Sequence, residues 1–552
     1  MKKDVIRWTV VLCLASVLLL PVASGNSQST VDELPEGVHI SEDGAVNPSD
    51  APIARDGNVY TLTGNVTYSI IVEKDNITID GAGYSMLGKV GQYHGSVELD
   101  HRRGVTVRNL VVKDTHRAFD LTYADDNTIV GNTIINSERA VYFWWSWRNN
   151  VTGNMISKAS YAFDFFLSPN YGSQENVVTG NTVLDSFIGL SLMESNNTFS
   201  DNIINSSNIG ASISGSQNLF RNNTINCTGI SFKLSSFDND IDDSNLINGK
   251  PIIHWIGHRN ENVPSDAGYV VISNCENISV QNIHASGVKL FSTTNSLIAE
   301  NTISDGSCGI QMIDSSSNTI TGNSLAYNEY GLQLTNCNDN KITANNISMR
   351  ARNSYYGVLL TNSHHNSLEQ NNVANNGFGK ATNDYYVPYE SYSGDLLGVK
   401  LLHSANNRFT ENNVTGNNQW GIRVLGDQHD NMIYHNNFID NEVSDGLQVS
   451  MLPPAANASV ANPSIWDNGT SGNYWSDYLT RYPNASEIGN TGVGDTPFYI
   501  NENNIDHHPL IEPYIIPEFT SWIILPLVLT FTVVVAIYKK GLSKTPNNCQ
   551  SY

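Results

Sequence analysis

The sequence predicts an all-β chain wound into a right-handed parallel β-helix, a solenoid of roughly 22 residues per coil. Two phrases carry that prediction. The first is Asn, any, apolar, any, any, Asn. It stands as Asn127-x-Ile129-x-x-Asn132, Asn149-x-Val151-x-x-Asn154, Asn176-x-Val178-x-x-Asn181, Asn197-x-Phe199-x-x-Asn202 and Asn218-x-Phe220-x-x-Asn223, and resumes from Asn318, Asn340, Asn366, Asn407 and Asn431. The second precedes the Asn pair: a small residue and then an apolar, any, apolar alternation, as in Gly189-Leu190-Ser191-Leu192, Gly309-Ile310-Gln311-Met312, Gly331-Leu332-Gln333-Leu334 and Gly421-Ile422-Arg423-Val424. Period two marks a strand with one buried face. A unit of about 22 residues cannot bury its own apolar face, so units must stack.

The Asn pairs are assigned to structure. A turn that bends the chain inward leaves backbone N–H and C=O groups short of partners, and an amide serves both. Coils about 4.8 Å apart align successive amides into ladders.

Along the chain, residues 1–25 read as a secretory signal peptide: Lys2, Lys3 and Arg7, an apolar run over 8–20, then Ala23-Ser24-Gly25. Residues 26–57 read as leader and amino-terminal cap, and 58–464 as the β-helix with a protruding insertion near 242–274. A loop near 375–393 carries Tyr385, Tyr386, Tyr389 and Tyr392. Residues 465–516 form a carboxy-terminal cap that covers the open strand edges. The uncharged stretch 519–538 within 517–540 is long enough for a membrane helix, and Lys539, Lys540 and Lys544 keep the tail 541–552 cytoplasmic. This topology places the protein in the cell membrane as a single-pass chain, with the β-helix outside.

Composition fits an extracellular rod. Lys and Arg number 30 against 53 Asp and Glu, a net charge of −23 that argues against nucleic acid or anionic lipid as partner. Outside the signal and tail stand Cys227, Cys275, Cys308 and Cys337, at differing phases of the repeat and read as buried free thiols. Sequons at Asn65, Asn205, Asn457, Asn468 and Asn484 are candidate glycan acceptors.

Two resemblances extend this reading. The Asn-x-Ile-x-x-Asn coils, Asp75-Asn-Ile-Thr-Ile-Asp-Gly, Asn248-Gly-Lys-Pro, and the closing Trp466-Asp-Asn-Gly to Gly494-Asp-Thr-Pro resemble the archaeal cell-surface β-helix proteins of the NosD-like, or CASH-type, family, over most of residues 59–510. The resemblance implies a parallel β-helix, and for function either a copper-related maturation role or sugar recognition. Pro517-Glu518-Phe519 before an apolar span and basic pair resembles the PEF-type archaeal sorting signals. A permanent transmembrane anchor is the simpler reading.

Copper fits poorly, because the methionines are scattered and the pairs His364-His365 and His507-His508 sit in turns. Calcium suits the Asn- and Gly-rich cap around Asp467, Asp477 and Asp495 better, although ordinary turn chemistry accounts for the same residues.

The sharper candidate lies on the outer strand face. Counting alternation from Ala118, Ala140 and Ala162 turns Phe119, Val141 and Phe163 inward and Asp120, Tyr142 and Asp164 outward on consecutive coils. Thr122, Trp144 and Phe166 are the next outward positions, with His116 and Arg117, and Arg102 and Arg103, close by. Asp120 and Asp164, two coils or roughly 9 to 10 Å apart, are candidate catalytic carboxylates of a glycoside hydrolase or lyase. Exposed Tyr142, Trp144 and Phe166, with His116 and Arg117, are candidate carbohydrate contacts. Three classes follow: a carbohydrate-binding envelope protein whose partner is a polysaccharide or glycoprotein, a polysaccharide-degrading enzyme, and a purely structural surface protein.

Overall fold

A computed structural model describes residues 37–67, 69–88, 95–167, 172–349, 355–376, 397–418, 420–425, 429–441, 449–451, 464–501 and 503–516. The signal peptide, the 517–540 span, the tail, the loop tyrosines near 385 and Asn457 lie outside these residues. Among the described residues no helix is long and apolar enough to cross a membrane.

The expected coils are present. Short strands pair in parallel with their counterparts one coil on: Val107 lies beside Ile129, Ile129 beside Val151, and Val151 beside Val178. All four side chains are fully buried. Stacking like on like gives columns of branched apolar residues, so the core is a rod filled coil by coil.

The Asn repeat forms the ladders that the turns require. Asn127 Nδ2 donates to Asn149 Oδ1 at 3.1 Å and to the Arg102 carbonyl at 3.0 Å, while its backbone N–H donates to the same Asn149 oxygen. The pattern runs through Asn149, Asn176, Asn197, Asn218 and Asn239, and in parallel from Asn132 to Asn245. Later coils repeat it from Asn318 to Asn431 and from Asn301 to Asn473. They add a third ladder, Asn376, Asn417 and Asn441, outside the recognised phrase.

A smaller hydroxyl and thiol ladder explains two cysteines. Cys275, Thr293, Ser315, Cys337, Ser363 and Ser404 occupy one buried corner, each backbone N–H of one coil facing the side chain of the next where that is a hydroxyl. Cys275 and Cys337 therefore share one phase, contrary to the expectation of differing phases. All four cysteines are free: Cys275, Cys308 and Cys337 are buried and Cys227 is half-buried.

The segment 242–274, expected to protrude, is instead a joint. Leu246 and Ile247 turn through Asn248 (φ 48°) and Gly249 (φ 78°) into an antiparallel pairing with Lys250 and Pro251, the positive-φ Asn-Gly turn that suits a two-residue hairpin. Beyond it a second hydrophobic core begins. Along the strand Tyr269–Ser273, Val270 and Ile272 enter this new core, while Tyr269 and Val271 pack onto the end of the first. Thus the side wall of the second solenoid closes the first. At the seam Lys289 donates to the Leu234 carbonyl at 2.7 Å and to Gln311 Oε1 at 2.6 Å, satisfying a carbonyl at a sheet's end. Burial pushes its ammonium pKa down to about 8.

The outer ends also differ in detail from expectation. Strands begin at Val38–Ile40, paired in parallel with Ile70–Val72, earlier than the expected start near residue 58. At the far end Trp466, Trp475, Tyr478 and Phe498 are buried, and Trp475 stacks between Phe438 (4.6 Å) and Phe498 (4.3 Å). The ladder from Asn301 ends on a carboxylate: Asp506 Oδ2 accepts the Asn473 backbone N–H at 2.8 Å and Trp475 Nε1 at 3.0 Å.

Candidate functional site

The column expected on the outer face exists in the expected register. Glu98 lies beside Asp120, Asp120 beside Tyr142, Tyr142 beside Asp164, and Asp164 beside Ser191. Phe119, Val141 and Phe163 fill the core opposite. A neighbouring column sets Arg117 beside Arg139 and Arg139 beside Tyr161. Long strands, Val111–Thr122 and Thr133–Trp144, hold both columns rigidly.

The two arginines organise the column. Arg117 Nη1 lies 2.6 Å from Asp120 Oδ2, and Thr122 Oγ1 donates to Asp120 Oδ1 at 2.6 Å. Arg139 Nε lies 2.8 Å from Asp164 Oδ2. Both guanidinium groups lie against the Tyr142 ring, at 3.9 and 5.2 Å from its centroid, a cation–π arrangement favoured when the partners are desolvated. Tyr142 is only 4% exposed and Asp164 3%. Alternation correctly turns them out of the core, but neighbouring side chains cover them, so Tyr142 is not the exposed stacking surface that was expected. Burial raises the Asp164 carboxyl above the usual range, against the pull of Arg139, and burial likewise raises the Tyr142 hydroxyl.

The other sequence candidates divide. Phe166 is 43% exposed and lies 6.3 Å from the Tyr142 ring. Trp144 is half-buried, between Tyr123 (5.7 Å) and Trp145 (6.2 Å). Arg117 reaches the column, but His116 is buried, with Nδ1 2.7 Å from Glu138 Oε2. Arg102 and Arg103 pair with Asp75 and with Asp125 and Asp126 around the turn.

Sequence reasoning missed an aromatic row alongside. On three consecutive coils the strand of this face is followed by a residue of left-handed backbone, His101 (φ 57°), Tyr123 (φ 50°) and Trp145 (φ 57°). His101 stacks on Tyr123 at 4.6 Å, and Trp145 meets Tyr123 edge-on at 5.1 Å. With Trp144, Phe166 and exposed Leu167 and Met193 they form a shelf beside the carboxylate column. The signal was available as a 22-residue spacing.

The candidate ion site divides as well. Asp467 takes Nδ1 of His507 at 3.2 Å and of His508 at 3.1 Å, Asp477 pairs with Arg481, and Asp495 accepts from Ser486 and Thr496. Among the described residues no three His, Cys, Asp or Glu side chains converge to hold a metal ion.

Family models match in two blocks. Residues 26–170 and 105–263 match the periplasmic copper-binding protein (NosD) model, and residues 264–438 match the right handed beta helix region model. With the observed coils, they support a right-handed β-helix family, as the motifs implied. No curated protein matches the chain. Among solved structures, the A-module of Azotobacter vinelandii mannuronan C-5 epimerase AlgE4 is 14% identical over 55% of this chain and 86% of that one, with a TM-score of 0.22. The catalytic domain of a GH87 α-1,3-glucanase in complex with tetrasaccharides is 13% identical over 56% and 58%, with a TM-score of 0.24. A tailspike protein of E. coli bacteriophage HK620 is 10% identical over 68% and 71%, with a TM-score of 0.27. Likeness at this level says nothing of the chemistry of this chain.

Proposed function

We propose that this is an extracellular, membrane-anchored β-helix protein that binds carbohydrate of the cell envelope on the outer face of its first solenoid. The observation that carries the reading is the adjacency of two columns on consecutive coils. One presents fixed polar groups, Asp120, Arg117 and Arg139, the last anchored from beneath by buried Asp164; the other holds the rings of Trp144 and Phe166. A pyranose offers both kinds of surface, an apolar face of C–H groups and an edge of hydroxyls.

Binding is favoured over hydrolysis at this face. An inverting pair needs room for a water between carboxyl groups roughly 6.5 to 9.5 Å apart, and here the Tyr142 ring occupies the coil between Asp120 and Asp164. Each carboxylate is held by its own arginine. The copper in the matched family's description finds no converging donor set among the described residues.

The test is to incubate the full chain with a panel of polysaccharides and follow both by size-exclusion chromatography. Co-elution with polymer of unchanged length is the expected result. Shortened polymer would establish depolymerisation and replace this reading with the enzyme; separate elution would leave a structural surface protein.

A further inference from the structure

We infer that the ligand is an uncharged linear polysaccharide lying along the solenoid axis, and that Tyr123 and Trp145 form the shelf on which its rings stack. The inference rests on the carbohydrate reading above and adds the charge class, the direction and two residues.

Direction follows from the repeat. His101, Tyr123 and Trp145 occupy one position on three consecutive coils, and Trp144 and Phe166 occupy the adjoining position on two. Coils rise about 4.8 Å each. A row built this way is linear and parallel to the axis, and its complement is a chain whose repeat is comparable to one coil.

The backbone shows that these rings are placed against local preference. At 101, 123 and 145 the residue after the strand has positive φ, which Asn, Asp and His tolerate better than Tyr or Trp, so Tyr123 and Trp145 are the ones placed against preference. In the second solenoid the equivalent position is held by Ser292, Asp314, Asn336, Asn362 and His403, with φ between 41° and 53°. Strain of this kind collects where a side chain serves something other than folding.

Charge class follows from the pairings. The arginines of the face are engaged, Arg117 with Asp120, Arg139 with Asp164, and Arg103 and Arg148 with Asp125 and Asp126. Among the described residues a uronate or sulfate ester would find no uncompensated arginine there, on a chain of net charge −23. Hydroxyl groups, by contrast, both donate and accept, and so fit carboxylates and guanidinium groups that remain paired.

The probes are a soluble neutral β-glucan, a neutral mannan, polygalacturonate and alginate, used in affinity electrophoresis of the full chain at low ionic strength. A neutral polymer is expected to retard the protein and the two polyuronates are not. Tyr123→Asn and Trp145→Asn, which restore the residue type used in the second solenoid, are each expected to cut retardation tenfold or more with melting temperature unchanged or raised. Trp145→Phe keeps a ring and should keep part of the retardation. Unchanged retardation in both Asn variants overturns the shelf, and retardation by polyuronates alone overturns the charge class while leaving carbohydrate binding intact. Failure of every polymer to retard the wild type removes both readings. A dimer in light scattering that Trp145→Asn dissolves would make a second copy the occupant and overturn the proposal.

Discussion

The two solenoids are built by the same rule and dressed differently. Both stack coils on ladders of buried asparagine, and both fill the core with columns of Ile, Val, Leu and Phe. On the outer face, however, the first carries Glu98, Asp120, Tyr142, Asp164 and Ser191, where the second carries Lys289, Gln311, Gln333, Leu359, Lys400 and Arg423. The left-handed strand-end position is aromatic on three coils of the first, at His101, Tyr123 and Trp145, and mostly Asx in the second. Since the interior is shared, whatever separates the two outer faces is not required by the fold. The second solenoid is thus an internal control for the first, although it has an aromatic group of its own: Tyr330 stacked with Tyr355 (5.3 Å) and Tyr356 (5.8 Å).

The shared interior makes the largest prediction. Asn154→Ala in the first solenoid and Asn345→Ala in the second each remove an amide with partners above and below. Each orphaned buried group costs about 1 to 3 kcal/mol, so losses of about 4 kcal/mol are expected in both, read by chemical denaturation. A large inequality between the two would show that the ladders are not equivalent.

A pH effect of definite sign arises at the second solenoid's end. Asp506 terminates a ladder under Trp475 and next to Asp467, which itself holds His507 and His508, and burial raises the Asp506 carboxyl to about 7. Its neutral form is favoured in the native state. Its contribution to stability is therefore fully present below the ordinary carboxylate pKa near 4 and lost as pH rises through about 7, worth roughly a few kcal/mol at most. Melting temperature against pH should show this decline, and Asp506→Asn should flatten it.

Smaller effects sharpen the contrast of faces. Trp144→Ala should reduce polysaccharide affinity about tenfold, or about 1.4 kcal/mol, with little change in melting temperature, whereas Tyr356→Ala in the second solenoid should leave affinity unchanged. Asn336→Tyr, which puts a ring at a left-handed position of the second solenoid, should cost about 1 kcal/mol by denaturation, and Tyr123→Asn should recover about as much.

The ladders were legible because each Asn phrase is local: one coil holds the signal and the repeat multiplies it. The outer column was legible for a related reason, since alternation decides which side of a strand Asp120, Tyr142 and Asp164 occupy. Alternation does not say what covers them. The burial of Tyr142 and Asp164 is produced by Arg117 and Arg139 reaching from the next column, and two side chains interlocking across coils leave no pattern in a single strand. The joint at Asn248-Gly249 was likewise half legible. The turn is local, but the packing of Tyr269 and Val271 on the end of the first core depends on where the second solenoid comes to lie. Cys275 and Cys337 could have been placed by counting: each stands three residues before a first-ladder position, at Ile278 and Asn340, as Ser315 does before Asn318.

The central claim, that carbohydrate is held by the first solenoid's outer face and not by the second's, is tested most directly by hydroxyl-radical footprinting of the full chain with and without a retained polysaccharide. The expected result is protection of Tyr123, Trp144, Trp145 and Phe166, with Tyr330, Tyr355 and Tyr356 oxidised equally in both samples. Protection of the second group, or equal oxidation of the first, would contradict it.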